Sequence, residues 1–225
     1  MRNTKIVVAS CDTYSDCWEP WDMLKRRYWT EKRAALITET ARRDDLYDTI
    51  AIQAPTWTER MHAALERIAE PFVIFMCDDH FIRKPVDTER IERCIDRLET
   101  STCIATFNFE RAYRPTIPFG DARKDGFGLQ TPGQEYNCSC QPSIWRRETL
   151  IETLETLDGS PWDWELSEEK TIYDYYLNTG GDIIDVGYRQ GQWMGIHAGK
   201  WVRADMEPLN EKEKLGINLA ERGTC

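Results

Sequence analysis

The sequence has 225 residues, 41% of them apolar and 30% charged. Such a chain can bury a substantial core unaided, and it is neither disordered nor fibrous. Lys and Arg number 29 against 39 Asp and Glu, a net charge of −10. That balance excludes a generic phosphate-backbone binder, which needs clustered Lys and Arg.

The start Met1-Arg2-Asn3-Thr4-Lys5 leads into only four apolar residues, Ile6 to Ala9, so no leader is expected. Those four residues read as a buried strand that exits into Ser10-Cys11-Asp12-Thr13. Trp18, Trp21, Leu24 and Tyr28 then recur at helical spacing. Ala34 to Thr38 and Thr49 to Gln53 read as the next strands. Trp57, Met61, Ala64, Leu65 and Ile68 form a helical stripe, capped by Thr56 or Thr58. Phe72 to Cys77 is the longest apolar run, far short of a membrane span. A helix over Asp87 to Leu98 and a strand over Cys103 to Phe107 follow. Strands alternating with helices imply an α/β fold with a mostly parallel sheet covered on both faces.

Residues 108–137, rich in Gly, Pro, Asn and charge, read as long loops with a short hairpin, of the kind that forms lids and binding loops. Regular structure resumes with a strand at Ser143-Ile144-Trp145 and a helix from Arg147 to Leu157. Pro161-Trp162-Asp163-Trp164-Glu165 opens a helix expected to run to about Leu177, and Asp182 to Val186 reads as a strand. The organisation expected is one domain over 1–203 with a polar helical tail over 204–225.

Eight cysteines are spread along the chain without a C-x-x-C pair, which reads as reduced thiols in a cytoplasmic protein. Cys138 and Cys140, flanking one Ser, are spaced to share a strand face. No G-x-G-x-x-G follows the first strand, and neither H-E-x-x-H nor G-x-S-x-G occurs. Gly195 to Lys200 is one residue short of a phosphate loop, with Trp201 in place of a magnesium-binding hydroxyl.

Four segments carry chemistry. Phe72 to Met76 ends at Cys77-Asp78-Asp79-His80, placing two carboxylates beyond the carboxyl end of an apolar strand. Neighbouring carboxylates raise one another's pKa, and a hard cation such as Mg²⁺ or Mn²⁺ relieves the repulsion. The competing reading is an Asp pair capping a turn. Ser10 and Asp12 at the first strand exit would hold a ribose or base edge, or else cap a helix. Trp162-Asp163-Trp164-Glu165 interleaves carboxylates suited to proton transfer with indoles suited to sugar faces, or else is a helix start with core Trp. In Gly195 to Trp201, His197 sits among glycines and Lys200 would neutralise a phosphate as a point charge.

Cys11-Asp12-x-Tyr14-Ser15-Asp16-x-Trp18, Trp57-x-Glu59-Arg60-x-x-x-Ala64-Leu65 and Asp78-Asp79-x-Phe81 together resemble small bacterial GT-A-type glycosyltransferases of capsule and surface-polysaccharide biosynthesis. Gln141-x-x-Ile144-Trp145-x-x-x-x-Leu150, Trp162-x-Trp164-Glu165 and Gly199-Lys200-Trp201 extend the likeness, which covers roughly Ile6 to Trp201. It implies a Rossmann-like GT-A sheet with a loop-rich acceptor side, and a nucleoside-diphosphate sugar as donor. It further implies Mn²⁺ or Mg²⁺ held by Asp79, with Asp78 and His197. Asp78 would also touch the donor, as would Ser10, Asp12, Arg60 and Lys200. The motif Cys77-Asp78-Asp79 lacks the first acid of the family's D-x-D form.

By the same resemblance Glu165, with Asp163 as the alternative, is the base that activates a glycan or other acceptor hydroxyl. Gln141, Trp145 and Trp164 would shape the acceptor side. Inversion is expected because a positioned base suits single displacement; retention stays open. Two rival readings are a sugar-nucleotide-forming nucleotidyltransferase and a non-catalytic carbohydrate-binding protein. The first would place a Gly-rich basic loop after the first strand, and Ser10 to Asp16 holds no Gly, Lys or Arg. A nucleic-acid acceptor is disfavoured by charge, though the fold would admit a nucleobase.

Overall fold

A computed structural model of the chain describes residues 1–30, 33–109, 117–118, 127–130, 133, 135–155, 157–167, 175–179, 183–187 and 194–225. The strands are β1 (Thr4–Ala9), β2 (Ala35–Thr38), β3 (Asp48–Ala51), β4 (Phe72–Cys77), β5 (Ile104–Asn108), β6 (Ile117–Pro118), β7 (Gly128–Leu129), β8 (Ser143–Arg146), β9 (Tyr175–Asn178), β10 (Ile196–His197) and β11 (Lys200–Trp201). The helices are α1 (Ser15–Tyr28), α2 (Trp57–Leu65), α3 (Thr88–Thr100), α4 (Arg147–Glu155), α5 (Pro161–Glu165), α6 (Arg203–Glu213) and α7 (Leu219–Arg222). A 3-10 turn, Asp12–Tyr14, links β1 to α1.

Nine strands form one sheet in the order β3-β2-β1-β4-β8-β5-β9-β7-β6. β1 pairs parallel to β2 and β4, β2 to β3, and β5 to β9. β8 runs antiparallel between β4 and β5. β1 to β5 and β9 therefore point one way, and the expected mostly parallel, Rossmann-like sheet is present. β10 and β11 form a separate antiparallel hairpin.

The strand period of two sorts side chains into two cores. Ile6 and Val8 of β1, with Phe72, Ile74 and Met76 of β4, face Trp18, Trp21 and Leu24 of α1 and Ile91 and Ile95 of α3. Val7 and Ala9, with Val73 and Phe75, face Met61 and Leu65 of α2, Leu150 of α4 and Trp164 of α5. Strands buried on both faces read as unbroken apolar runs, which is how β1 and β4 stand out in the sequence.

Helix starts follow local hydrogen bonding. Thr56 caps α2 in a reciprocal box with Glu59. Ser160 caps α5 in the same way with Asp163, and Pro161 occupies the first turn.

Three expectations are corrected. The helix expected to run to Leu177 stops at Glu165, and Tyr175–Asn178 is strand, because it pairs with β5 along Ile104 to Asn108. The strand expected at 182–186 is irregular over 183–187, and Asp182 lies outside the described residues. There Arg83 N–H donates to Asp185 O and Asp87 N–H to Ile183 O, so the segment laces to a loop instead of a ladder. Beyond residue 202, α6 and α7 follow, and Met206, Leu209 and Leu215 pack on the first core. Cys138 and Cys140 lie in bends before β8, not on a strand. Within 108–137, β6 and β7 pair as the expected short hairpin; residues 110–116, 119–126, 131, 132 and 134 lie outside the described residues.

Candidate active site

From β1 the chain winds to β2 and β3 on one side, while β4 lies on the other. This reversal of strand order is the place where open α/β sheets leave a crevice beyond the carboxyl ends of their strands. A cavity of about 1090 Å³ opens there. The β1 exit supplies Ser10, Cys11 and Tyr14, and the β4 exit supplies Cys77 to His80. Asn108 ends β5, and Ser139 to Gln141 precede β8. Arg60 comes from α2, Trp162 and Glu165 from α5, and His197 from β10.

The register Ala9↔Cys77 sets Ser10 beside Asp78. Ser10 Oγ donates to Asp78 Oδ2 and itself accepts from Trp18 Nε1 at 2.7 Å. Asp78 is 4% exposed. Its burial, reinforced by the adjacent Asp79, pushes the carboxyl well above the usual range, against the hydrogen bond from Ser10. Asp78 thus belongs to the floor, and the hydroxyl of Ser10 is committed to holding it.

Asp79 is half-buried and faces the cavity, and no side chain among the described residues donates to its carboxylate. Burial raises its pKa, with His80 working the other way. His80 Nδ1 accepts from Cys77 N–H at 3.2 Å, and burial pushes its pKa down, which leaves a neutral ring with its proton on Nε2. Gly195, at φ +57°, seats the hairpin against this loop: a Cβ there would lie 2.4 Å from Asp79 O.

Glu165 is 9% exposed. Its Oε1 accepts from Cys140 N–H at 2.8 Å and from Ser139 Oγ at 3.3 Å. Burial nevertheless holds its pKa above the usual carboxylate range. The α5 helix that carries it rests on an aromatic stack. Trp164 lies 5.7 Å from Trp57, 5.9 Å from Phe75 and 6.0 Å from Trp145, ring centre to ring centre.

Not every residue singled out in the sequence reaches the cavity. Trp145 and Trp164 are fully buried, with indole N–H groups donating to Ser143 Oγ and Thr153 Oγ1, so they support the site from the core and present no face to an acceptor. Asp163 is turned to its own helix start, where Oδ2 accepts from Ser160 N–H and Oγ. Asp12 accepts from Thr40 and Ala41 N–H and from Thr40 Oγ1. Burial works to raise Asp12, and the bonds from Thr40 and Ala41 outweigh it, leaving the carboxyl below its ordinary range. Lys200 is exposed on β11, outside the cavity lining. Gln141, Arg60 and His197 do line it.

A hard cation at this site would draw on the cavity's carboxylates. Among the described residues the one trio of His, Cys, Asp and Glu whose ligand atoms lie within 4.8 Å of one another is Cys77, Asp79 and His80. The expected trio of Asp78, Asp79 and His197 is therefore not assembled, because Asp78 turns into the floor toward Ser10 and His197 stands on the separate hairpin. Asp79 alone fits: a desolvated carboxylate without a side-chain donor, of the kind that holds Mg²⁺ or Mn²⁺ together with substrate phosphates.

Sequence reasoning missed Tyr136 and Asn108, and of the two indoles it offered to a sugar face, Trp162 and Trp164, only Trp162 reaches the cavity. Trp162 and Tyr136 are 56% and 39% exposed and stand at the cavity rim. The signal for Trp162 was the Ser160-Pro161-x-Asp163 box, which fixes where α5 begins and turns Trp162 outward while Trp164 turns in.

No family model and no curated protein matches the chain. Among solved structures it is similar to a cytidylyltransferase from Leptospira borgpetersenii serovar Hardjo-bovis, at 12% identity and TM-score 0.45, over 73% of this chain and 68% of that one. It is similar to S. aureus TarS 1-349, at 11% identity and TM-score 0.41, over 78% and 60%. It is also similar to the bifunctional IspDF from Campylobacter jejuni, at 15% identity and TM-score 0.38, over 68% and 43%. The chain thus spans under two thirds of the length of the last two. Among the described residues no helix is long and apolar enough to cross a membrane. All eight cysteines are free thiols.

Proposed function

We propose that the protein is a glycosyltransferase that moves a sugar from a nucleoside diphosphate to an acceptor hydroxyl. One observation carries the reading: two desolvated carboxylates, Asp79 and Glu165, line one cavity at the strand-order reversal, on independent elements. Desolvation tunes carboxylates toward proton transfer and cation binding, whereas a binding module gains nothing from it.

In this reading the nucleoside lies along the β1 exit near Cys11 and Tyr14, with Arg60 close by. The diphosphate lies near Asp79. A Mn²⁺ or Mg²⁺ ion on Asp79 would neutralise charge developing on the leaving diphosphate. The acceptor oxygen forms its bond to the anomeric carbon as the bond to the diphosphate breaks. Glu165 takes the acceptor proton on Oε2, while Oε1 stays fixed by Cys140 and Ser139. Trp162 and Tyr136 offer flat apolar faces to the acceptor at the rim. A base placed for direct attack suits inversion, and eight free thiols suit a reducing, cytoplasmic setting.

The β1 exit favours this reading over a nucleotidyltransferase. It passes straight into the Asp12–Tyr14 turn and α1, with no glycine-rich basic loop to wrap a triphosphate.

The test is release of nucleoside diphosphate from a panel of sugar nucleotides, with and without Mn²⁺, in wild type, Asp79→Ala and Glu165→Gln. Asp79→Ala should abolish metal-dependent release. Glu165→Gln should keep donor affinity and lose transfer by about 10² to 10⁴-fold. Undiminished turnover in Asp79→Ala, or pyrophosphate release from a nucleoside triphosphate, would overturn the reading.

A further inference from the structure

Asn108 has no part in the chemistry above, yet it is 5% exposed and lines the cavity. Its Nδ2 donates to Gln130 Oε1 at 2.8 Å, which fixes the amide. Its Oδ1 is buried without a hydrogen-bond partner among the described residues. Gln141 Oε1 is in the same state, while the Gln141 backbone N–H donates to Ser139 Oγ at 3.2 Å. The register Asn108↔Ser143 puts both amides at the same edge of the sheet, since Gln141 lies two residues before Ser143.

Buried carbonyl oxygens are ordinarily paired, and these two belong to residues that line the cavity, where a bound ligand can supply the donor. The residues around them narrow that ligand. Arg60 is the one Arg or Lys among the described residues lining the cavity; its Nη1 bonds Glu39, and its Nε is buried without a partner among the described residues. Among the described residues the other titratable acids and bases of the lining, apart from thiols and Tyr hydroxyls, are the carboxyls of Asp78, Asp79 and Glu165 and the imidazoles of His80 and His197. An anionic group beside the two amides would find acceptors where it needs donors, with carboxylates close by. Hydroxyl groups meet the demand without charge.

We propose that Asn108, braced by Gln130 and joined by Gln141, forms the subsite that reads hydroxyls of an uncharged sugar ring, and that it rejects sugars bearing a carboxylate. The inference rests on the proposed function only in assigning that ring to the donor. The two are separable because bare nucleotide binding tests the function and ring discrimination tests the subsite.

The experiment is calorimetric titration of the full chain with UDP, GDP, UDP-glucose, UDP-galactose, UDP-glucuronic acid and GDP-mannose in Mn²⁺. A neutral-sugar nucleotide should bind at least about tenfold more tightly than the glucuronate. Asn108→Leu should remove about tenfold from neutral-sugar affinity and leave the bare nucleotide within about twofold. Equal or tighter glucuronate binding would overturn the subsite, as would a folded Asn108→Leu with unchanged discrimination. Should Asn108→Leu fail to fold, Gln141→Leu carries the same expectation, and an unchanged neutral-to-acidic ratio there overturns it. Should no nucleotide bind, the function fails and the subsite is judged on methyl glucoside against methyl glucuronide by saturation-transfer NMR. Contacts to the glucoside alone support it, and contacts to both or to neither overturn it.

Discussion

Glu165 owes its chemistry to an imbalance between burial and hydrogen bonding. Two donors on Oε1 favour the carboxylate, yet desolvation is the larger effect and its pKa stands above the ordinary range. A base must be deprotonated to act, so activity falls as pH drops through that raised pKa. The acid limb of kcat/KM should therefore lie above the ordinary glutamate value of about 4.3. Ser139→Ala removes one bond that favours the charged form and should move the limb further up in pH. A pH–rate series on both proteins checks this. A limb at the ordinary value, or a downward move in Ser139→Ala, would take the base role from Glu165. The contrast with Asp163, two residues away, is instructive. Its hydrogen bonds from Ser160 hold it below the usual range on an exposed helix start, where it serves the fold alone.

The hairpin of β10 and β11 meets the Asp79 loop through a close backbone approach. Gly195 N–H donates to Asp205 Oδ2 at 2.9 Å, and Arg83 Nη2 bonds the same oxygen at 2.6 Å. Arg83 Nε in turn donates to Val186 O at 2.9 Å. These bonds press the hairpin down where only a glycine fits. Gly195→Ala meets both a positive φ and Asp79 O, whereas Gly199→Ala, at φ +76°, meets nothing within 4 Å. The left-handed conformation alone costs about 1–2 kcal/mol. Gly199→Ala should show that loss and little else in thermal unfolding. Gly195→Ala should lose more stability and also lose turnover, because either Asp79 or His197 must shift. Equal losses in the two variants would mean the close seat does not position Asp79.

Much of the architecture was legible because β1 and β4 are buried on both faces and read as continuous apolar runs. The Asp pair followed from β4, since a strand's carboxyl end is a fixed address in such a sheet. What stayed hidden depends on partners distant in sequence. Tyr175–Asn178 becomes strand because β5 offers an edge some 70 residues earlier, which local periodicity does not report. Asp12 is claimed by backbone N–H groups at 40 and 41, and Trp164 by an aromatic stack drawn from α2, β4 and β8. The polar tail concealed its packing because α6 sets few apolar residues, Met206 and Leu209, against the core and turns charge outward.

That tail joins the two ends of the chain through one buried carboxylate. Glu213 has a side chain 3% exposed and bonded to Arg27; its Oε1 accepts from Tyr28 Oη at 2.7 Å and Lys212 Nζ at 2.8 Å. Burial pushes its pKa up, but the bonds from Lys212, Tyr28 and Arg27 win and bring it down to about 2. A folded-state pKa below the unfolded one adds stability that is complete above about pH 4.5 and fades as pH falls toward 2. Arg27 and Lys212 are substantially exposed, so solvent screening trims the contribution to about 1–2 kcal/mol. Glu213→Gln should lower Tm at pH 7 by about 2–8 °C. It should also flatten the decline of Tm between pH 4.5 and 3 relative to wild type. Melting curves across that range decide it, and parallel acid declines in the two proteins would show that the clamp between α6 and α1 adds no stability through its charge.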